Sequence, residues 1–240
     1  MLSIVMLIHD RPRLTRQALE SLAENTRRAF NLTVWDDGSS PENWQALSAA
    51  MSTIMWQQGA VQWQHTANTR GPGVARNDAI TASALAFGRS GLLYSSDSDA
   101  FFLSGWDETL LKCWNAPERA QERFEALGLY AHPFQRRGRL ISNPGAMAGH
   151  SIAELDALGL FSWLMSWETW DKHGPFAPSP AVNGSEDWEY CQRIRRAGGK
   201  VGVVEPALVI NAGVTSSDGK LCPGASLLWD QDIPPGVILE

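Results

Sequence analysis

Two aspartates one residue apart, Asp97 and Asp99, end an apolar run in Leu92-Leu93-Tyr94-Ser95-Ser96-Asp97-Ser98-Asp99. In extended backbone, residues i and i+2 point to the same side, so both carboxylates converge just past a strand's end. Two anions that close repel each other unless a cation lies between them. Oxygen donors of this kind suit Mg²⁺ or Mn²⁺, which take a carboxylate or two and complete their shell with substrate phosphates and water. A Ser-Asp-Ser-Asp stretch is also an ordinary polar turn, and the pair alone does not separate the two readings. Asp36-Asp37-Gly38 forms a second acid pair, and Glu186-Asp187 a third. Gly71-Pro72-Gly73 precedes Arg76 at the start of a helical pattern. Glycines there let backbone N–H groups approach an anion, and the arginine offers a bidentate phosphate contact.

These groups need elements that hold them in place. Residues 3–8 are continuously apolar and rich in branched side chains, as befits a strand buried on both faces. Pro12 then opens a helix with Leu14, Ala18, Leu19 and Leu22 at helical spacing. A second strand, 32–35, stops at Asp36, and Ser39 or Ser40 caps the helix that Pro41 begins. The pattern predicts a third strand over 60–65, a helix through Ala79, Ile80, Ala84 and Leu85, and a fourth strand over 91–95. Strand–helix repeated three times, with acids or glycines at each strand's carboxyl end, defines a doubly wound α/β fold. Ligands of such sheets bind outside those ends, which makes Asp36 and Asp37 candidates for a nucleotide site. An Asp-Gly turn with a capping acid accounts for the same residues.

The second half is less regular. A helix is expected through Leu110, Leu111 and Trp114, another over 117–126, a strand over 127–131, and a basic turn at 135–139. Residues 143–149 have no assignable pattern. Trp163, Trp167 and Trp170, at i, i+4 and i+7, predict one helix face, by default a core stripe and otherwise a sugar- or partner-binding wall. Ser185 is a fair N-cap for a helix ending at Gly198-Gly199, and acids are favoured in its first turn, which is a purely structural account of Glu186 and Asp187. A strand follows over 200–204. From about 215 the chain loses periodicity.

Composition narrows the function classes. The 240 residues, 44% hydrophobic, suit one large α/β domain. A net charge of −6 leaves no overall basic footprint for nucleic acid, although Arg136-Arg137-Gly138-Arg139 and Arg193-Ile194-Arg195-Arg196 are locally basic. Three widely spaced cysteines argue against a disulfide framework and a zinc cluster, and for a reducing compartment. The opening residues lack a basic n-region and read as a strand, not a signal peptide. No apolar run approaches a membrane span. The expectation is a soluble, cytoplasmic protein.

The order of these motifs resembles the family 2 glycosyltransferases with a GT-A fold, over roughly residues 2–210. Its pieces are Ser3-Ile4-Val5-Met6 before His9-Asp10-Arg11-Pro12, Val34-Trp35-Asp36-Asp37-Gly38-Ser39, Gly73-Val74-Ala75-Arg76-Asn77, Asp97-Ser98-Asp99 and Gly184-Ser185-Glu186-Asp187. The resemblance implies a single Rossmann-like GT-A domain, a central mostly parallel sheet flanked by helices. Residues 1–100 would form a nucleotide-binding half, 101–214 an acceptor half and 215–240 an irregular tail. It implies metal-dependent transfer from a nucleotide-sugar, a UDP-sugar favoured, to an acceptor hydroxyl with inversion. Leu7, His9, Asp36 and Asp37 would meet base and ribose, with His9 where a tyrosine is common. Arg76, Asp97 and Ser98 would also contact the donor, and Asp97 and Asp99 would hold Mn²⁺ or Mg²⁺. Asp187 would be the general base, with Glu186 the competing candidate. Asn211 stands where the family often has a metal-reaching histidine. Other readings are a phage-type enzyme that glycosylates a hydroxymethylated base in DNA, and a non-catalytic carbohydrate-binding protein. A nucleotidyltransferase would need a glycine-rich loop after the first strand, and His9-Asp10-Arg11-Pro12 has none.

Overall fold

Branched apolar sequence takes the centre of the sheet. Strand β1 (Leu2–Ile8) is buried along nearly its whole length, as its unbroken apolar pattern requires. The computed structural model describes residues 1–129, 140–178, 186–213 and 236–238. After β1 the chain runs through α1 (Pro12–Asn25), β2 (Phe30–Asp36), α2 (Pro41–Thr53), β3 (Gly59–His65), α3 (Pro72–Phe87) and β4 (Leu92–Asp97). It continues with β5 (Ala100–Phe102), α4 (Trp106–Trp114), α5 (Pro117–Gln121), β6 (Phe124–Gly128), β7 (Leu140–Met147), β8 (His150–Leu155) and β9 (Ser162–Ser166). Last come α6 (Trp167–His173), α7 (Glu186–Arg196), β10 (Lys200–Glu205) and β11 (Val209–Asn211).

The main sheet has the order β3-β2-β1-β4-β9-β6-β10-β8-β7, and β5 pairs with β11 in a small antiparallel ribbon. Strands β3, β2, β1 and β4 are parallel to one another, as are β6 and β10, while β9 and β8 run against their neighbours. This is the mixed, helix-flanked sheet with a parallel half that the motif order leads one to expect. The chain steps outward from β1 to β3 and then returns to β4 on the other side of β1. A crevice opens where the order reverses. Register sets its walls: Ile8 lies opposite Asp36, Asp36 opposite His65, and Leu7 opposite Asp97. Four strand ends therefore finish level with one another.

Local expectations are corrected in the second half, and one unassigned segment takes its place there. The helix expected over 117–126 stops at Gln121 and β6 begins at Phe124, because Arg123 takes a left-handed conformation, φ 63°. Arg119 fixes this turn by donating to the carbonyls of Trp114 and Phe124. The three tryptophans do not share a helix. Ser166 caps α6 by accepting from the Thr169 N–H at 3.0 Å, which leaves Trp163 in β9 and only Trp167 and Trp170 helical. Their core role holds: Trp163 and Trp170 close on Phe176 and Tyr190, with ring centroids 5.5–6.3 Å apart. Residues 143–149 belong to β7 and its hairpin turn to β8, where Ala148 and Gly149 both have positive φ. The strand expected over 127–131 runs earlier, as β6, and ends at Gly128. The basic turn at 135–139, the Ser185 cap and most of the tail lie outside the described residues. No described helix is long and apolar enough to cross a membrane. Cys113 and Cys191 are both buried.

Candidate active site

The loop after β1 is bent by two consecutive non-glycine residues in the left-handed region, Asp10 (φ 53°) and Arg11 (φ 52°). Such backbone costs of order 1–3 kcal/mol per residue and persists where its surroundings enforce it. Here the Asp10 N–H donates to Ser39 Oγ at 2.6 Å, and Asp10 Oδ1 accepts from Ser40 N and Asn43 Nδ2. The bend turns the Arg11 side chain back under the sheet's end, where Nη1 lies 3.3 Å from Asp99 Oδ2.

The two acids after β2 hold loops. Asp36 is fully buried. Its Oδ1 accepts from the N–H and hydroxyl of Ser39, and its Oδ2 accepts from His65 Nδ1 at 2.6 Å. Trp44 stacks on that imidazole with centroids 4.7 Å apart. Asp37 accepts from the N–H groups of Arg70 and Gly71 at 2.8 and 3.0 Å, tying the α3 entry loop to β2. Burial pushes its carboxyl up, and those two hydrogen bonds offset this only in part. His9 caps the end of β1 and reaches the Asp37 carbonyl through Nδ1 at 2.9 Å. Gly38 is required between these loops: its φ is 77°, and a Cβ there would lie 2.5 Å from the Thr69 nitrogen.

Helix α3 delivers Arg76 to the end of β4. The guanidinium is buried and donates to Asp97 Oδ1 at 2.6 Å, to Ser95 Oγ and to the Ser96 carbonyl. Asp97, Ser98 and Asp99 turn the chain into β5. Ser98 is buried in that turn. Asp99 is pushed up to about 7, first by burial and then by the charge of Asp97, while Arg11 pulls the other way. The β5–β11 ribbon brings the end of the described core alongside. Asn211 pairs with Ala100, the Ala212 N–H donates to the Asp99 carbonyl, and Asn211 Oδ1 accepts from the Gly213 N–H at 2.8 Å.

Helix α7 closes the other side. Glu186 is buried over Gly73, and its Oε2 has no hydrogen-bond partner. Burial raises its pKa, the charges of Asp187 and Asp97 add to the rise, and Arg76 counters. Asp187 is half-buried beside it and accepts from the Trp188 N–H at 2.6 Å. The structure thus brings Arg76, Asp97, Asp99, Glu186 and Asn211 to one crevice. Asp37, His9 and Leu7 line its β1–β2 side, and Asp36 stands behind them.

Sequence reasoning missed Arg11, Gly213 and His65. Gly213 had a signal only in its type, and its reason is spatial. A Cβ there would lie 2.1 Å from Asp99 Oδ2 and 3.0 Å from Arg11 Nη1. Gly213 thus packs a hydrogen's width from the Asp99 oxygen that Arg11 approaches. No group of three or more His, Cys, Asp or Glu is set to hold a metal among the described residues. Two carboxylates one residue apart, with Asp97 about one-third exposed, fit a hard divalent cation that draws its remaining ligands from phosphate and water.

A crevice at the carboxyl ends of parallel strands, at the point where their order reverses, is where open α/β sheets bind their ligands. Residues 3–124, just over half of the chain, match the model described as glycosyl transferase family 2, and the chain belongs to that family. Glu186, Asp187 and Asn211 lie beyond the matched region. No curated protein matches the sequence. Among solved structures, the chain is similar to GalNAc-T7 with UDP, GalNAc and Mn²⁺ (18% identity, TM-score 0.60, 85% of this chain and 42% of that one). It is also similar to the mannosyltransferase PcManGT from Pyrobaculum calidifontis in complex with GDP-Man and Mn²⁺ (16%, 0.61, 84% and 56%). A third is residues 1–349 of S. aureus TarS (15%, 0.57, 87% and 59%). At these identities the likeness is one of fold, and the chain spans about half the length of those proteins.

Proposed function

We propose that the protein transfers a glycosyl group from a nucleotide-sugar, a UDP-sugar favoured, to an acceptor hydroxyl with inversion, using a divalent cation held by Asp97 and Asp99. The observation that carries this reading is the pairing of those carboxylates at the sheet's switch point, with a guanidinium on each. Similar folds in complex with UDP or GDP-Man and Mn²⁺ support the donor class.

Residues 1–100 would bind the donor. Leu7, His9 and Asp37 would line base and ribose, the His9 ring offering a flat face. Asp36 would act at one remove, through His65 and Ser39. Arg76 would neutralise Asp97 beneath the diphosphate, with Ser98 in the same turn. Asn211, its amide oxygen already engaged by Gly213, is the weakest of the three metal ligands named. Bound Mn²⁺ or Mg²⁺ supplies Lewis-acid stabilisation of charge on the leaving diphosphate.

The acceptor would bind in the half formed by residues 101–214. Asp187 would take the proton of its hydroxyl as the oxygen attacks the anomeric carbon from the face opposite the nucleotide. One displacement inverts that carbon. Glu186, buried against the donor half, would set the position of the helix start that carries the base. In the second basic cluster Arg193 is committed to Glu189 and to the carbonyls of His173 and Pro175, which leaves less of that cluster to a DNA acceptor. A glycan or small-molecule hydroxyl is the acceptor we favour. A reducing, cytoplasmic setting is the one we favour, from the wide spacing of the three cysteines.

A thermal-shift screen of UDP-, GDP- and TDP-sugars with Mn²⁺, followed by hydrolysis assays on each donor that binds, tests the reading. One nucleotide should raise the melting temperature only with metal present. If none does, the reading fails.

A further inference from the structure

Each carboxylate of the pair has its own guanidinium, and the two are held very differently. Arg76 is 2% exposed and donates to Asp97, Ser95 and Ser96 together. Among the described residues Arg11 makes one contact, to Asp99 at 3.3 Å, where a charge-assisted N–H···O bond settles at about 2.8 Å. Its Nη2 is buried and has no hydrogen-bond partner. A donor buried without an acceptor is costly, so this guanidinium is placed but not locked.

Its backbone is equally particular. Asp10 and Arg11 are both left-handed, held there by Ser39, Ser40 and Asn43 from the next loop. Gly213 leaves only a hydrogen's width between the chain and the Arg11–Asp99 contact. The loop after β1 and the end of the β5–β11 ribbon thus close a cationic group, Arg11, against Asp99 Oδ2.

We propose that Arg11 is a displaceable counter-cation for Asp99: it neutralises that carboxylate in the metal-free protein and yields when a divalent cation binds, thereby setting the metal affinity. The inference rests on the metal-dependent reading above. Two cations cannot both lie against one carboxylate oxygen without repelling each other, so metal entry moves Arg11. Arg76, tied to three acceptors, stays.

The test compares wild type with Arg11→Met and Arg11→Lys by titrating Mn²⁺ alone at low ionic strength and counting free Mn²⁺ by electron paramagnetic resonance. Arg11→Met should bind Mn²⁺ about fivefold more tightly, the scale of a partly buried ion pair, and should melt lower in EDTA. Arg11→Lys, which keeps the charge, should stay near wild type. Unchanged or weaker Mn²⁺ binding by a folded Arg11→Met overturns the proposal. So does weaker UDP binding in EDTA with Mn²⁺ affinity unchanged, which makes Arg11 a phosphate ligand instead. Should Arg11→Met not fold, the Arg11 Nε resonance of wild type under Mg²⁺ decides. It should shift while that of Arg76 holds still, and a fixed Arg11 signal with Mg²⁺ bound overturns the proposal. A wild type that binds no Mn²⁺ even with UDP, GDP or TDP removes the metal reading itself. Binding by wild type with no Arg11 effect removes this inference alone.

Discussion

Arg76 and Asp97 form a 2.6 Å ion pair in which the guanidinium is buried and the carboxylate is about one-third exposed. The cation therefore depends on its partners more than the anion does, since water still reaches Asp97. Removing the guanidinium also strips a donor from Ser95 and Ser96. Arg76→Met should cost about 2 kcal/mol of stability by urea unfolding and weaken nucleotide binding as well. Arg76→Lys should recover part of the stability but not the forked geometry. A variant as stable as wild type would contradict this placement of Arg76.

Gly213 has no requirement for unusual φ, so its substitution isolates the space beside Asp99. Gly213→Ala puts a Cβ where Asp99 Oδ2 stands, and the carboxylate must rotate away. Because the displaced group is the end of a side chain, melting temperature should change little. Mn²⁺-dependent nucleotide affinity should fall by about tenfold or more, the loss expected when one cation ligand is misplaced. Equal affinities in calorimetry would place the cation elsewhere.

Glu186 links stability to pH. Its folded pKa is raised above the ordinary 4.5, with burial the chief cause. Stability from this group is therefore fully present below pH 4.5 and is lost as pH rises through the elevated value. Glu186→Gln carries no such titration. The variant should gain on wild type as pH increases from 4 to 7, seen in paired urea melts. A constant difference across that range would mean that Glu186 titrates as it does in the unfolded chain.

Much of this crevice was legible in the sequence because its acids follow apolar runs that register alone aligns. Ile8 against Asp36 and Leu7 against Asp97 fix the ends of β1, β2 and β4 at one level. What resisted reading depended on contacts between distant segments. Arg11 faces Asp99 only because two residues adopt left-handed backbone under the hold of Ser39, Ser40 and Asn43. Asp36 looked like a ligand-facing acid, yet His65 and Ser39 occupy its oxygens, a partnership that needs the β2–β3 register. The tryptophan spacing suggested a helix because period 3.6 was counted across a strand–helix junction, and Ser166 marks that junction by its cap.

The assignment of the base has its own test. Asp187→Asn retains shape and the hydrogen bond from the Trp188 N–H but cannot accept a proton. It should lower kcat by about two to four powers of ten with donor affinity and melting temperature little changed. Near-normal turnover in Asp187→Asn together with a dead Glu186→Gln would exchange the two roles.

Asp99 decides whether the crevice is a metal-dependent nucleotide site at all. The direct measurement is a calorimetric titration of the donor nucleotide into wild type and Asp99→Asn, each with Mn²⁺ and with EDTA. Asn keeps the side chain's size and removes the charge that a divalent cation requires. Wild type should bind markedly more tightly with Mn²⁺ than with EDTA, and Asp99→Asn should bind equally weakly in both. A Mn²⁺ enhancement that survives in Asp99→Asn would contradict the account.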